Sequence, residues 1–105
     1  MSAWFSVGLL YRADHGREGG SGELWEERVV LVRAETEGAA MDAAASLGKS
    51  REAHYKGLTG DRVQWRFEGA WTICELLDDE LGVGSEVFWR FMSGKQVKAL
   101  RKEFK

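Results

Sequence analysis

The chain has 105 residues, 44% of them hydrophobic, and a formal charge of −2 at pH 7. A chain of this length buries enough surface for one core without disulfides or metals, so we expect a single domain over residues 1–105. The small net charge gives no electrostatic attraction toward nucleic acid or an anionic membrane. Cys74 is the only cysteine, which excludes an intramolecular disulfide and a zinc ribbon.

The sequence contains no segment typical of secretion or of membrane insertion. Residues 1–4 lack the basic start and the apolar stretch of a signal peptide. No apolar run approaches the length that spans a membrane. We therefore expect a protein of the reducing cytoplasm with no membrane partner.

The N-terminal third alternates in a way that predicts two strands. Residues Trp4–Tyr11 alternate apolar positions, and Leu24–Ala34 is rich in β-branched residues at its centre. The two segments lie close in the sequence, which favours an antiparallel hairpin joined by the glycine-rich residues 12–23.

The glycines of that connection do not predict a phosphate site. A dinucleotide-binding loop needs Gly-x-Gly-x-x-Gly between a strand and a helix, whereas a second strand follows here. Gly48-Lys49-Ser50 likewise ends a predicted helix that a phosphate-binding loop would begin. Asp14 and His15 are neighbours on a loop and make a weak metal site. We therefore predict neither a cofactor nor a metal.

An alanine-rich helix follows the second strand. Thr36 can cap its N-terminus, Glu37 suits the positive end of the helix dipole, and Gly48 is well placed to end it. Because alanines give the helix a shallow face, we expect it to lie close against the sheet.

The third predicted strand, Arg62–Leu76, contains a glycine near its middle. If Gly69 belongs to the regular ladder, Trp71 shares a face with Phe67. We favour a bulge at Gly69, which would turn the second half of the strand to the opposite face.

The last two elements complete the predicted fold. Ser85–Met92 alternates as a fourth strand, and Ser93 can cap a helix in which Val97 and Leu100 follow helical spacing. We therefore expect an α+β fold of element order ββαββα. It has a four-stranded, mainly antiparallel sheet with the alanine-rich helix on one face. The C-terminal helix closes an edge or joins a partner.

Charged residues on the predicted strands form the strongest candidate site. Alternation places Glu27 beside apolar neighbours, where a half-buried carboxylate needs a partner or a raised pKa. Arg28 or Arg90 can serve as that partner. The candidate set for ligand binding or acid–base work is Glu27, Arg28, Glu75, Glu86 and Arg90. The favoured interpretation of these charges is a ladder of cross-strand ion pairs on a solvated face. No nucleophile has a base near it in the sequence, so no catalytic residue is predicted.

Five tryptophans are many for so short a chain. One helix-covered face cannot easily bury all of them beside five phenylalanines. We therefore expect some in an interface or a groove, where tryptophan is favoured. The candidates are Trp25, Trp65, Trp71 and Trp89, and the alternative is packing within the core or at the sheet rim.

The C-terminal segment Lys95–Lys105 carries five basic groups and one acid. A basic amphipathic helix can bind nucleic acid or an acidic partner. Cations near a helix C-terminus also suit the dipole, and a solvated helix is the favoured interpretation.

These segments together resemble a bacterial family catalogued as domain of unknown function 4288. The likeness is carried by Trp4-Phe5-Ser6, Leu24–Arg28, the alanine-rich helix, Tyr55 with Gly60, Val63-x-Trp65-x-Phe67, and Glu86-Val87-Phe88 with Arg90. It extends to Phe91. Lys56 and Trp89 depart from the asparagine and serine expected there, so no polar role is carried over to those positions. The resemblance implies a cytoplasmic bacterial domain without an assigned activity, and it adds Tyr55 to the candidate ligand-binding residues.

The sequence leaves enzymatic activity open and favours a binding function. We expect a non-enzymatic interaction module that forms a homodimer, because exposed strand edges need covering and tryptophans are in surplus. The alternatives are a small-ligand-binding protein or enzyme that uses the Glu/Arg set and, least favoured, nucleic-acid binding through the C-terminal helix. The identity of any protein or small-molecule partner is not encoded in a recognisable motif.

Overall fold

The computed structural model describes residues 2–14, 24–56 and 62–103. The strands are β1 (Ala3–Asp14), β2 (Trp25–Ala34), β3 (Ala53–Lys56) and β4 (Arg62–Glu75), and the helices are α1 (Glu37–Ser50) and α2 (Gly94–Glu103). The strands form one antiparallel sheet in the order β2-β1-β4-β3. The three long strands β2, β1 and β4 make up its body, and the four-residue β3 lies at one edge.

The predicted fold is wrong in its fourth strand. Residues 85–92 form neither a strand nor a helix, and β3 lies in a segment for which no strand was predicted. The four-stranded ββαββα prediction is corrected to an α+β fold on three long antiparallel strands, β2-β1-β4, with β3 as a short addition. Alternation alone does not make a strand, because a strand needs a neighbour for its backbone hydrogen bonds. The Trp89 carbonyl instead accepts a hydrogen bond from the Cys74 thiol of β4, 3.1 Å away.

An irregularity in β4 surrounds the glycine at its centre. Two register shifts in the β1–β4 ladder leave Glu68 and Trp71 without a cross-strand partner. Gly69 lies between them with φ of 145°, a conformation that favours glycine. Because there are two extra residues, Phe67 and Ile73 remain on the same face. The expected irregularity is present, but it does not turn the second half of the strand over.

The core lies between α1 and one face of the sheet. Its buried side chains are Phe5, Val7, Leu9 and Tyr11 of β1, Trp65 of β4, and Ala40 and Ala44 of α1. The buried positions of the helix are the small residues Ala40, Ala44 and Gly48, so its backbone approaches the sheet closely. Every second residue of β1 faces this core, which is the pattern of a strand with one covered face.

The ends of α1 are set by local interactions. As predicted, Thr36 is the N-cap, and its hydroxyl accepts a hydrogen bond from the Ala39 N–H at 3.1 Å. The helix continues past Gly48, where its end was predicted, and stops at Ser50. Gly48 has a packing role instead: its carbonyl accepts a hydrogen bond from the buried Tyr11 hydroxyl at 2.8 Å. A Cβ on Gly48 would lie 2.5–3.0 Å from atoms of the Phe67 ring.

A carboxylate connects the residues after α1 to the sheet. Glu52 accepts a hydrogen bond from the Phe67 N–H at 2.9 Å and pairs with Lys49 at 2.7 Å. The hydrogen bond from Lys49, followed by that from the Phe67 backbone, lowers the pKa of Glu52 below its ordinary value. The ionised carboxylate therefore fastens the helix end to β4.

We expect Gly48→Ala to destabilise the protein, since the new methyl group collides with the Phe67 ring. Overpacking of this kind costs about 1–3 kcal/mol, reduced here by up to about 1 kcal/mol of improved helix propensity. Gly38→Ala is the matched control in the same helix, because a Cβ there meets no atom within 4 Å. It should stabilise the protein slightly. Urea unfolding followed by circular dichroism measures both, and equal shifts for the two variants would contradict the packing role of Gly48.

We expect the stability contributed by Glu52 to depend on pH. Because its folded pKa is depressed, the contribution is fully present above the unfolded pKa of about 4.3 and is lost as pH falls through the lower folded pKa. Urea unfolding of the wild type and of Glu52→Gln at a series of pH values tests this. The two stability curves should converge in acid, and a constant difference across the series would show that ionisation is irrelevant.

Candidate interaction face of the sheet

The face of the sheet opposite α1 carries the candidate site. Directly paired residues share a face in an antiparallel sheet, so the register identifies the paired members of this face, and the hydrogen bond to Glu27 adds the unpaired Trp71. We call the following set the outer face: Ser6, Gly8 and Leu10 of β1, Trp25, Glu27, Val29 and Leu31 of β2, and Trp71, Thr72 and Cys74 of β4. Its four largest exposed apolar side chains, Trp25, Val29, Leu31 and Trp71, are 41–53% exposed.

A hydrogen bond crosses the centre of this face. The indole Nε1 of Trp71 donates to Oε2 of Glu27 at 2.9 Å, joining β4 to β2 over the intervening β1. The contact depends on Gly8, since a Cβ there would lie 3.1 Å from both the Glu27 oxygen and the Trp71 nitrogen. Glycine within a strand is typical of such close approaches. Its missing side chain lets Glu27 and Trp71 meet above the central strand.

Two buried hydroxyls lie beside this bridge. Ser6 and Thr72 are on the same face as Gly8, and neither side-chain oxygen has a hydrogen-bond partner among the described residues. Ser6 is 1% exposed. A buried hydroxyl without a partner costs about 1–3 kcal/mol. The centre of the outer face therefore holds unused hydrogen-bonding capacity beneath an aromatic and aliphatic surface.

Arginines flank the tryptophans at both ends of the face. The Arg12 guanidinium lies 5.9 Å from the Trp25 ring, and the Arg33 guanidinium lies 5.1 Å from the Trp4 ring. Arg12 also pairs with Glu68 at 3.1 Å. Cation–π contacts of this kind orient the rings while leaving much of their surface accessible. The result is an apolar centre with a charged rim.

The predicted Glu/Arg residues lie in separate places. Glu27 is on the outer face, whereas Arg28 points to the opposite face, 4.0 Å from the Tyr11 ring, and pairs with Glu26. The partner of Glu27 is thus an indole and not an arginine. Glu75 and Glu86 line one cavity of about 170 Å³ together with Trp89.

Of the other predicted residues, Arg90 lines a separate cavity and the side chain of Tyr55 is not described. Arg90 lines a second cavity, of about 280 Å³, between residues 90–92 and α2. The backbone of Tyr55 lies in β3, but its side chain and the glycine-rich residues 15–23 are outside the described part of the structure. Within the described part, no group of three metal-ligating side chains is close enough to hold an ion.

The four candidate interface tryptophans differ in their exposure to solvent. Trp65 is 6% exposed and belongs to the core, while Trp25, Trp71 and Trp89 are each exposed by 43% or more. Sequence reasoning missed Gly8, Ser6 and Thr72. The glycine inside an otherwise regular strand was the available signal, because it marks a place where other groups approach the backbone.

Comparison with known families identifies the chain. The model of the family described as a domain of unknown function, DUF4288, matches residues 4–89, and the chain belongs to this family, as its sequence predicts. No curated protein and no solved structure gives a significant match. The matched region includes α1 and all of the sheet except Ala3, and it ends before α2. No helix in the described residues is long and apolar enough to cross a membrane.

We expect Gly8→Ala to disrupt the bridge on the outer face, because the methyl group collides with the Thr72 hydroxyl and crowds Glu27 and Trp71. The expected loss is about 1–3 kcal/mol in the free energy of unfolding. Thr72→Ala removes the colliding oxygen and should itself have little net effect, since relief of the unpartnered hydroxyl offsets the loss of the threonine methyl group. Combined, the two substitutions should cost at least about 0.5 kcal/mol less than their sum. Additive costs in urea unfolding would contradict the close approach.

Proposed function

We propose that this chain is a non-enzymatic interaction module that forms a homodimer through the outer face of its sheet. The observation that carries the proposal is the exposed set Trp25, Val29, Leu31 and Trp71, gathered around the Glu27–Trp71 hydrogen bond. Monomeric proteins rarely leave a contiguous apolar patch of this kind uncovered. The patch lies on the hydrogen-bonded strands β2, β1 and β4, so it is a preformed surface.

The composition of the outer face supports a protein partner. Its aromatic and aliphatic centre and its arginine rim resemble the anatomy of protein interfaces, in which tryptophan and arginine contribute most of the binding energy. Val29 and Leu31 offer no hydrogen bonds to a polar ligand and no stacking surface to a base. Aliphatic side chains of this kind favour packing against another apolar surface.

A second copy of the same face is a suitable partner. In a two-fold dimer each residue meets the same patch on the other copy, so an apolar centre meets an apolar centre. Two sheets pack face to face about 10 Å apart, with their side chains interdigitating. Glu27 accepts a hydrogen bond from Trp71, so one oxygen of the carboxylate stays satisfied in such an interface, while its charge must still be desolvated.

The separation of the predicted acid–base residues supports a binding function over catalysis. Glu27, Arg28 and Arg90 lie in three different surroundings, whereas acid–base chemistry needs its groups within hydrogen-bonding reach of one substrate.

We propose that the protein acts in the bacterial cytoplasm. This location is supported by the family resemblance and by the one cysteine, Cys74, which is free and buried.

Light scattering coupled to size exclusion tests the homodimer. At high micromolar concentration the wild type should elute at twice the chain mass of 11.8 kDa. Leu31→Lys places a charge in the centre of the interface and should weaken dimerisation by roughly 100-fold or more, because each dimer contains the substitution twice.

Leu24→Lys is the matched control for this experiment. Leu24 is as exposed as Leu31 but precedes β2 and alternates to the other side, so the control should remain dimeric. A monomeric wild type would overturn the proposal, as would equal effects of the two lysines.

A further inference from the structure

The C-terminal helix has no partner within the described fold. α2 packs against no other helix or strand that the structure describes. Its N-terminus is well formed: Ser93 accepts a hydrogen bond from the Gln96 N–H at 3.2 Å, and the Gln96 side chain accepts one from the Ser93 N–H at 2.9 Å. A helix of 10 residues is nevertheless marginal in water on its own. Stable formation of α2 therefore requires a surface to pack against.

The shape of the chain agrees with a helix that projects from its own domain. The radius of gyration is 16.5 Å, whereas a compact domain of about 100 residues has a value near 13 Å. Phe91, which leads into the helix, is 91% exposed. Phe91 and α2 are thus available to a second molecule.

The helix and the preceding connection carry opposite charges. We call residues 75–86 the acidic turn, with Glu75, Asp78, Asp79, Glu80 and Glu86, and we call α2 the basic helix, with Lys95, Lys98, Arg101 and Lys102. All of these side chains are exposed. Among the described residues, no ion pair involves any of them. Each charged surface therefore lacks an ion-pair partner among the described residues.

The acidic turn also offers apolar contacts. Leu77 is 93% exposed, and Val83 is fully exposed. The basic helix has apolar residues of its own, Val97 and Leu100, which are half-buried; Leu100 faces the cavity between α2 and residues 90–92. Acidic groups around exposed aliphatic side chains form a surface that matches a basic amphipathic helix in both charge and polarity.

We infer that the basic helix of one copy docks on the acidic turn of a second copy, and that this contact is made twice in each homodimer. It rests on the homodimer proposed above and adds a second contact to it. A two-fold dimer makes the contact reciprocal, because each chain supplies one helix and one turn. α2 lies outside the family-matched residues 4–89, so this contact belongs to a part of the chain that the family match does not include.

A charge-swap experiment tests the inference on the full chain. The helix variant carries Lys98→Glu and Arg101→Glu, which are three residues apart and so lie on one side of α2. The turn variant carries Asp79→Lys and Glu80→Lys. Each variant alone opposes like charges at both contacts and should dimerise at least about 10-fold more weakly than the wild type at low salt. Their equimolar mixture should restore a heterodimer of wild-type affinity, since both contacts then pair opposite charges.

The controls separate this inference from the proposed homodimer. Asp42→Lys changes an exposed charge on α1 and should leave dimerisation unchanged. If Leu31→Lys disrupts the dimer but neither charge variant weakens it, the docking of α2 is overturned and the proposed homodimer stands. The docking of α2 would also be overturned if the mixture of the two variants did not regain wild-type affinity. It would be overturned as well if the helix variant lost binding to single-stranded nucleic acid while its dimerisation was unchanged. A monomeric wild type would overturn both.

Discussion

The covering of one face of the sheet by a single alanine-rich helix is the constraint on which the rest of the structure depends. α1 buries Ala40 and Ala44 against β1, and Gly48 lets its last turn meet Tyr11 and Phe67. The side chains that face α1 form the core. Those that alternate with them must face outward, and several of them are large and apolar. The asymmetry of the sheet follows directly from having one helix for two apolar faces.

The arrangement of the outer face depends on the absence of a side chain at Gly8 in its central strand, β1. Gly8 removes the side chain that would separate β2 from β4, so the Glu27 carboxylate and the Trp71 indole meet above it. The irregularity around Gly69 is the second condition for this hydrogen bond, because it leaves Trp71 as an unpaired residue of the β1–β4 ladder. Together the glycines place one hydrogen-bonded carboxylate and indole within the apolar centre of the outer face. This hydrogen bond can specify alignment, while the aliphatic and aromatic groups around it supply contact area.

Sequence patterns correctly predicted the features that depend on residues close together in the chain. The Thr36 cap, the alternation of β1 and β2, and the irregularity near Gly69 all depend on neighbours in the sequence, and each is present. The family could likewise be recognised from ordered segments. The strand predicted at Ser85–Met92 failed because alternation does not provide a neighbouring strand.

The candidate site could be predicted only in part, because its signals in the sequence are local and its central hydrogen bond is not. Alternation put Glu27 beside apolar residues, but its partner is 44 positions away in the sequence. Only the order β2-β1-β4 brings Glu27 and Trp71 over a common strand. Arg28 was a reasonable partner by proximity, yet adjacent residues of a strand point to opposite faces.

Hydroxyl-radical footprinting of the full chain at rising protein concentration tests most directly whether two copies bury the outer face. The account predicts that modification of Trp25, Trp71 and Leu31 falls as the dimer forms, while modification of the exposed Leu24 remains constant. Concentration-independent modification of the outer face would contradict it.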